Sequence, residues 1–177
     1  LRKSFNLDFR IRGIATSNRM LLDDRSIDLH NWKSQLETRG EALDWKRFDA
    51  HVNAEHLPHA AIVDCTASTD VSARYISWFA QGMHVVTANK KAQSGPLAYY
   101  DELQQGRRTH HTHFLYETSV GAGLPIIQTL RDLIETGDEI VAIEGIFSGT
   151  LAYLFNVFDG TRPFSAIVRE ARDNGYT

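Results

Sequence analysis

Up to about residue 116 the chain alternates short apolar runs with stretches of helical period, and after that the order of elements changes. Phe9-Arg10-Ile11-Arg12-Gly13-Ile14-Ala15 alternates apolar and basic positions, then turns wholly apolar, as a strand entering a buried sheet does. Asp28 is placed to cap a helix with Leu29, Trp32 and Leu36 on one face and Gly40 as its stop. A second short helix is expected from Trp45 towards Glu55, burying Phe48 and Val52. Ala60-Ala61-Ile62-Val63-Asp64-Cys65 reads as a short buried strand. A helix follows from Thr69 or Asp70, with Val71, Tyr75, Trp78 and Phe79 inward and Gly82 closing it. His84-Val85-Val86-Thr87-Ala88 is the next strand, and a helix over residues 96–105 turns Leu97, Tyr100 and Leu103 inward, with Gly106 as its stop. Phe114-Leu115-Tyr116 is a further strand.

Beyond it, Pro125 opens a helix with Ile127, Leu130, Leu133 and Ile134 as its apolar stripe. Residues 139–147, rich in Ile and Val, predict a strand. Leu151, Leu154, Phe155 and Phe158 mark one helix, and Pro163 starts a last one through Ile167, Val168 and Ala171 to Gly175. The change of character near residue 117 is the only boundary the pattern supports.

Hydrophobic residues at 42% and charged residues at 23% are ordinary for a globular protein. A net charge of −3 without a basic run speaks against nucleic acid or an anionic membrane as partner. No apolar segment reaches the roughly 20 residues of a membrane helix. The single cysteine, Cys65, allows no internal disulfide and fits a reducing compartment, so a cytoplasmic location is expected.

Candidate chemistry gathers at strand ends, where open α/β sheets bind their ligands. Thr66 and Ala67 follow one strand and are candidates for hydroxyl or backbone contacts to a cofactor. Cys65 beside them is expected to be a packed thiol rather than a nucleophile. Lys90 and Lys91 follow another strand; they either neutralise a cofactor phosphate or polarise a carbonyl, or are solvated surface charge. After the first strand, Thr16-Ser17-Asn18-Arg19 carries no acid to hold ribose hydroxyls. Ser17 and Arg19 suit a 2′-phosphate, which leans towards NADP, or they form an ordinary polar loop. His110, His111 and His113 invite a metal, but neighbours in extended chain point to opposite faces, so none is expected. His51, His56 and His59 are expected at the surface. In Tyr116-Glu117-Thr118-Ser119-Val120-Gly121-Ala122-Gly123-Leu124-Pro125, a carboxylate precedes a glycine turn able to bring carbonyls inward. That suits a hard cation; the segment by itself favours the plainer reading, a strand-to-helix connection with Glu117 solvated.

Asp64-Cys65-Thr66, Thr87-Ala88-Asn89-Lys90-Lys91, the 116–125 segment, Gly145-Ile146-Phe147-Ser148-Gly149-Thr150 and Gly175-Tyr176-Thr177 resemble homoserine dehydrogenase in order and spacing. The insertion around His30-Asn31-Trp32 is similar to the dehydrogenase half of bifunctional aspartokinase–homoserine dehydrogenases. The resemblance implies an α/β fold: a Rossmann-like NAD(P)-binding domain lacking its first βα unit over residues 1–116. Residues 117–177 then form the hinge, a cation-binding segment and the start of an α+β substrate and dimerisation domain. The implied activity is NAD(P)-dependent interconversion of L-aspartate 4-semialdehyde and L-homoserine, in threonine and methionine biosynthesis, by a homo-oligomer. The cofactor is NADP, with NAD as the alternative.

By the same resemblance Ala15 lies near the adenosine ribose, and Thr66, Ala67 and Ala88 line the cofactor. Lys90 assists at its nicotinamide end, and Gly175 approaches it. Glu117 and the carbonyls of Val120, Ala122 and Leu124 hold a monovalent cation, usually sodium. Two features of the family are missing from these residues: the Gly-x-Gly-x-x-Gly turn, and the principal proton-donating lysine with its substrate-binding acids. The 177 residues are therefore expected to be a fragment, inactive by themselves. Residues 1–7 are expected to be what remains after the first βα unit. The alternatives are another two-domain NAD(P) oxidoreductase of an amino-acid-like carbonyl, or a non-catalytic piece that folds and associates.

Overall fold

The computed structural model describes residues 5–54 and 56–176. Residues 1–4, Glu55 and Thr177 lie outside it, and with them part of the remnant expected at residues 1–7, the far end of the helix towards Glu55 and the last residue of Gly175-Tyr176-Thr177. The chain forms two compact units. One comprises Leu1–Val63, Ala73–Val86 and Pro96–Phe114, the other Asp64–Ser72, Thr87–Gly95 and Leu115–Thr177.

In the first unit, β1 (Gly13–Ala15) pairs antiparallel with β2 (Arg19–Leu22), and β2 with β3 (Glu41–Ala42). The strand expected over residues 9–15 is thus a three-residue arm of a hairpin. Thr16-Ser17-Asn18 is its turn, closed by Thr16 N–H to Arg19 O at 2.8 Å. Helix α1 (Trp32–Arg39) starts after Asn31, later than expected, because the Asp28 carboxylate accepts from His30 N–H at 2.9 Å in a local turn. Leu21, Ile27 and Leu36 form its core cluster, with Trp32 against it. Helix α2 (Trp45–Val52) forms as expected, capped by Asp44, whose side chain accepts from Arg47 N–H. Gly13 is required here: a Cβ would lie 2.7 Å from the Phe48 ring.

The expected helix from Thr69 divides into α3 (Thr69–Ser72) and α4 (Tyr75–Ala80). Only α4 belongs to the first unit, and Tyr75, Trp78 and Phe79 in it are fully buried. Each such side chain contributes roughly 1.5–3 kcal/mol of burial free energy. Tyr75 and Phe79 meet Phe114 edge-on at 5.8 and 5.6 Å. The buried Asp49 accepts from Trp78 Nε1 at 2.9 Å and from Arg74 at 2.8 Å, so each of its carboxylate oxygens has a partner. Helix α6 (Leu97–Thr109) runs through Gly106 rather than stopping there, and Leu97, expected inward, is 72% exposed; Leu103 is buried as expected.

β4 (Ala61–Asp64), β5 (His84–Thr87) and β6 (Phe114–Leu115) form a second sheet in that order. His84 N–H bonds to Ala60 O and Ala88 N–H to Asp64 O, at 2.9 and 3.0 Å; the constant offset makes β4 and β5 parallel. β4 was expected to be buried, but Ala61 and Val63 are exposed, Val63 at 62%. Its continuous apolar run suits a parallel strand covered on both faces, whereas the described residues cover one.

In the second unit lie α5 (Lys91–Ser94), a 3-10 turn at Glu117–Ser119, α7 (Ile126–Glu135), α8 (Gly149–Val157) and α9 (Phe164–Asp173). Leu154, Ile167 and Ala171 pack α8 on α9. Tyr153 and Arg162 both donate to Glu170, at 2.7 and 2.6 Å. The strand expected over residues 139–147 does not form; the segment carries no ladder and Val141 is 92% exposed. A strand needs a partner, and the described residues supply none there. Among the described residues no helix is long and apolar enough to cross a membrane.

Candidate functional site

The loops that follow β4 and β5 are fixed by one buried polar clasp. Asp64, the last residue of β4, is 2% exposed and Asn89 1%. Asp64 Oδ1 accepts from Thr66 N–H at 2.8 Å, and Oδ2 accepts from Asn89 Nδ2 at 3.0 Å. The same amide nitrogen donates to Ser68 O at 2.8 Å and lies 3.4 Å from Thr66 Oγ1. Asn89 N–H bonds to Thr87 Oγ1 at 2.9 Å, and Asn89 Oδ1 accepts from Lys91 N–H at 3.1 Å. Buried polar groups cost free energy unless paired, so this network holds both loops in one geometry.

Thr66, Ala67, Ala88 and Lys90 lie on these two loops and are exposed. Lys90 stands at the amino terminus of α5, its carbonyl accepting from Gln93 and Ser94 N–H. Neither it nor Lys91 forms an ion pair among the described residues. Cys65, expected to be a packed thiol, is exposed instead, in the loop just after β4. Ala15 ends β1, in the first unit. Arg19 donates to the carbonyls of Glu37 and Gly40 at the end of α1, which fixes its guanidinium beside the hairpin turn. Gly175 follows α9 with φ +77°, and its N–H bonds to Arg172 O at 2.9 Å.

Glu117 has a role the sequence reading missed. Oε1 accepts from Ile127 N–H at 2.8 Å and Oε2 from Gln128 N–H at 3.0 Å, so the carboxylate caps the amino terminus of α7. Its charge also opposes the positive end of the helix dipole. The intervening turn places Gly121 at φ +72° and Ala122 at φ +52°. The positive φ of Gly121 favours glycine there, and a Cβ would also meet the Ile126 side chain. Leu124 O accepts from Ile126 N–H at 2.9 Å, while the carbonyls of Val120 and Ala122 accept no backbone hydrogen bond among the described residues. Among the described residues no group of three or more His, Cys, Asp or Glu side chains could hold a metal ion, the His110-His111-His113 run included.

Parallel strands with exposed polar loops at their carboxyl ends define the class: an α/β Rossmann-like NAD(P)-binding domain followed by a smaller α+β domain. The chain belongs to the homoserine dehydrogenase family. The model of the homoserine dehydrogenase NAD-binding domain matches residues 2–117, and that of homoserine dehydrogenase itself residues 125–177.

Over 178 aligned residues the chain is 52% identical to a bifunctional aspartokinase/homoserine dehydrogenase 2, chloroplastic, of Zea mays, covering 100% of this chain and 19% of that protein. The chain thus spans about a fifth of the length of that relative. A protein of unknown function from Candida auris has a similar structure, with TM-score 0.82 and 31% identity over 96% of this chain and 49% of that one. A hyperthermophilic archaeal homoserine dehydrogenase in complex with NADPH aligns with TM-score 0.70 over 97% of this chain and 54% of that one; at 20% identity it shows the fold alone.

Proposed function

We propose that these residues are the nucleotide-binding part, and the beginning of the substrate and dimerisation part, of an enzyme that interconverts L-homoserine and L-aspartate 4-semialdehyde with NADP. The boundary between the parts is placed between residues 116 and 117. The observation that carries the reading is the Asp64–Asn89 clasp, which holds Thr66, Ala67, Ala88 and Lys90 together at the carboxyl ends of parallel strands. The close relation to a bifunctional plant enzyme supports an aspartokinase domain in the same polypeptide.

In this reading Thr66, Ala67 and Ala88 line the cofactor, which supplies or accepts the hydride when bound. The Lys90 ammonium stands at its nicotinamide end and balances negative charge developing on the carbonyl oxygen. Ala15 lies beside the adenosine ribose, and Ser17 and Arg19 face a 2′-phosphate. The fixed position of the Arg19 guanidinium supports this, because a planar fork held in place loses little freedom on binding phosphate. Gly175 approaches the cofactor backbone to backbone. A sodium ion is held by Glu117 and the carbonyls of Val120, Ala122 and Leu124, beside the helix the same carboxylate caps.

Exposed Val141, Ile146 and Phe155 support association with a second copy of the chain. The reducing compartment expected from the single cysteine is the cytoplasm, although the maize relative is chloroplastic by name.

Substrate choice tests the reading: the intact protein is offered homoserine, serine or threonine with NADP, and reduction is followed by absorbance. Turnover with homoserine alone is expected. Turnover of another hydroxy amino acid but not homoserine would overturn it.

A further inference from the structure

Three histidines from distant parts of the sequence meet at the amino-terminal end of the second sheet, a grouping that shares only His113 with the His110-His111-His113 run. His59 precedes β4, His84 opens β5, and His113 precedes β6. The His84 ring lies 6.1 Å from that of His59, nearly parallel to it, and 5.0 Å from that of His113. The backbone N–H of His113 donates to His84 Nδ1 at 3.0 Å, and His113 O accepts from Val85 N–H at 2.9 Å. A nitrogen that accepts must hold its lone pair, so this geometry requires neutral His84 with its proton on Nε2.

We propose that this stack is a proton-operated latch: protonation of His84 at Nδ1 removes the acceptor for His113 N–H and releases the start of β6 from β5. Among the described residues the titratable groups that face His84 are two imidazoles, His59 from the segment before β4 and His113 from the segment before β6. Among the described residues no carboxylate forms an ion pair with any of the three, so a proton gained there meets no compensating charge. Burial, then the neighbouring His113 and His59, hold the His84 imidazolium below its ordinary range, consistent with the neutral form in the latch. A proton is bound more readily by the unfolded chain, which gains it near the ordinary value of 6.5. Stability is therefore full above that pH and falls as pH drops through it towards the lower folded value.

The test is amide exchange at His113 in the intact protein, read as a protection factor between about pH 7.5 and pH 5. A loss of about tenfold or more on acidification is expected, together with a falling melting temperature. His84→Asn keeps an acceptor near the Nδ1 position but cannot titrate, and it should flatten both changes. Unchanged protection in the native protein, or an undiminished pH slope in His84→Asn, would overturn the latch. Should that variant fold poorly, nitrogen-15 spectra of the native histidines decide: the Nε2–H tautomer at neutral pH is expected, with protonation and loss of His113 protection sharing one midpoint. An Nδ1–H tautomer, or two separate midpoints, would refute it.

Discussion

Asn89 donates its side-chain amide to Asp64 across 3.0 Å, and the two residues are 25 apart in sequence. Through that one bond the loop after β4 and the loop after β5 share a geometry, and the residues assigned to the cofactor sit on those loops. Thr66 draws its position from the other oxygen of the same carboxylate.

Asn89→Ala removes the donor to Asp64 Oδ2 and to Ser68 O together. Removing these bonds, and the acceptor for Lys91 N–H, from a buried network is expected to lower stability by about 2–4 kcal/mol. Urea denaturation measures it, and a change within experimental scatter would mean the clasp does not hold the loops.

Glu117→Gln keeps the shape of the side chain but replaces one accepting oxygen by a donor facing a backbone N–H. Loss of the cap is expected to cost about 1–2 kcal/mol even without sodium. The sodium response of the intact protein should also weaken. Full stability in sodium-free buffer would discount the cap, and an intact sodium response would discount the cation role.

Arg19→Ala is expected to weaken NADPH binding about tenfold or more and leave NADH nearly unchanged, because only NADPH carries the extra phosphate. Equal losses for both would mean that Arg19 acts through the carbonyls of Glu37 and Gly40 rather than through phosphate.

Arg162, and then Tyr153, hold the Glu170 carboxyl below its ordinary range. A carboxyl whose folded value is depressed contributes stability above the unfolded value, about 4.5, that is lost as pH falls through the folded value. Glu170→Gln is therefore expected to make thermal stability less dependent on pH below about 4.5. A slope matching the parent protein would show that this partly exposed triad adds nothing.

The parts of the fold readable in the sequence are those set by local rules. β4 and β5 follow from their apolar runs, α2 from the period of Phe48 and Val52, and the polar residues at the strand ends from their position after those runs. The β1–β2 hairpin was missed although Thr16-Ser17-Asn18 between two apolar runs carried a turn signal. The clasp and the α7 cap could not be read locally, since Asn89 reaches back 25 residues and Glu117 reaches forward 10. The 139–147 segment shows the opposite error. Its Ile and Val content describes a surface suited to a sheet, but a strand is completed only by a partner that local sequence does not specify.

In the proposed reading the carboxyl ends of β4 and β5, locked by Asp64 and Asn89, hold the nicotinamide cofactor. Calorimetric titration of the intact protein with NADPH tests it most directly, run beside Asn89→Ala under conditions where the variant remains folded. Saturable binding by the parent, weakened about tenfold or more in the variant, is the expected result. No saturable binding, or binding of equal strength by both, would contradict it.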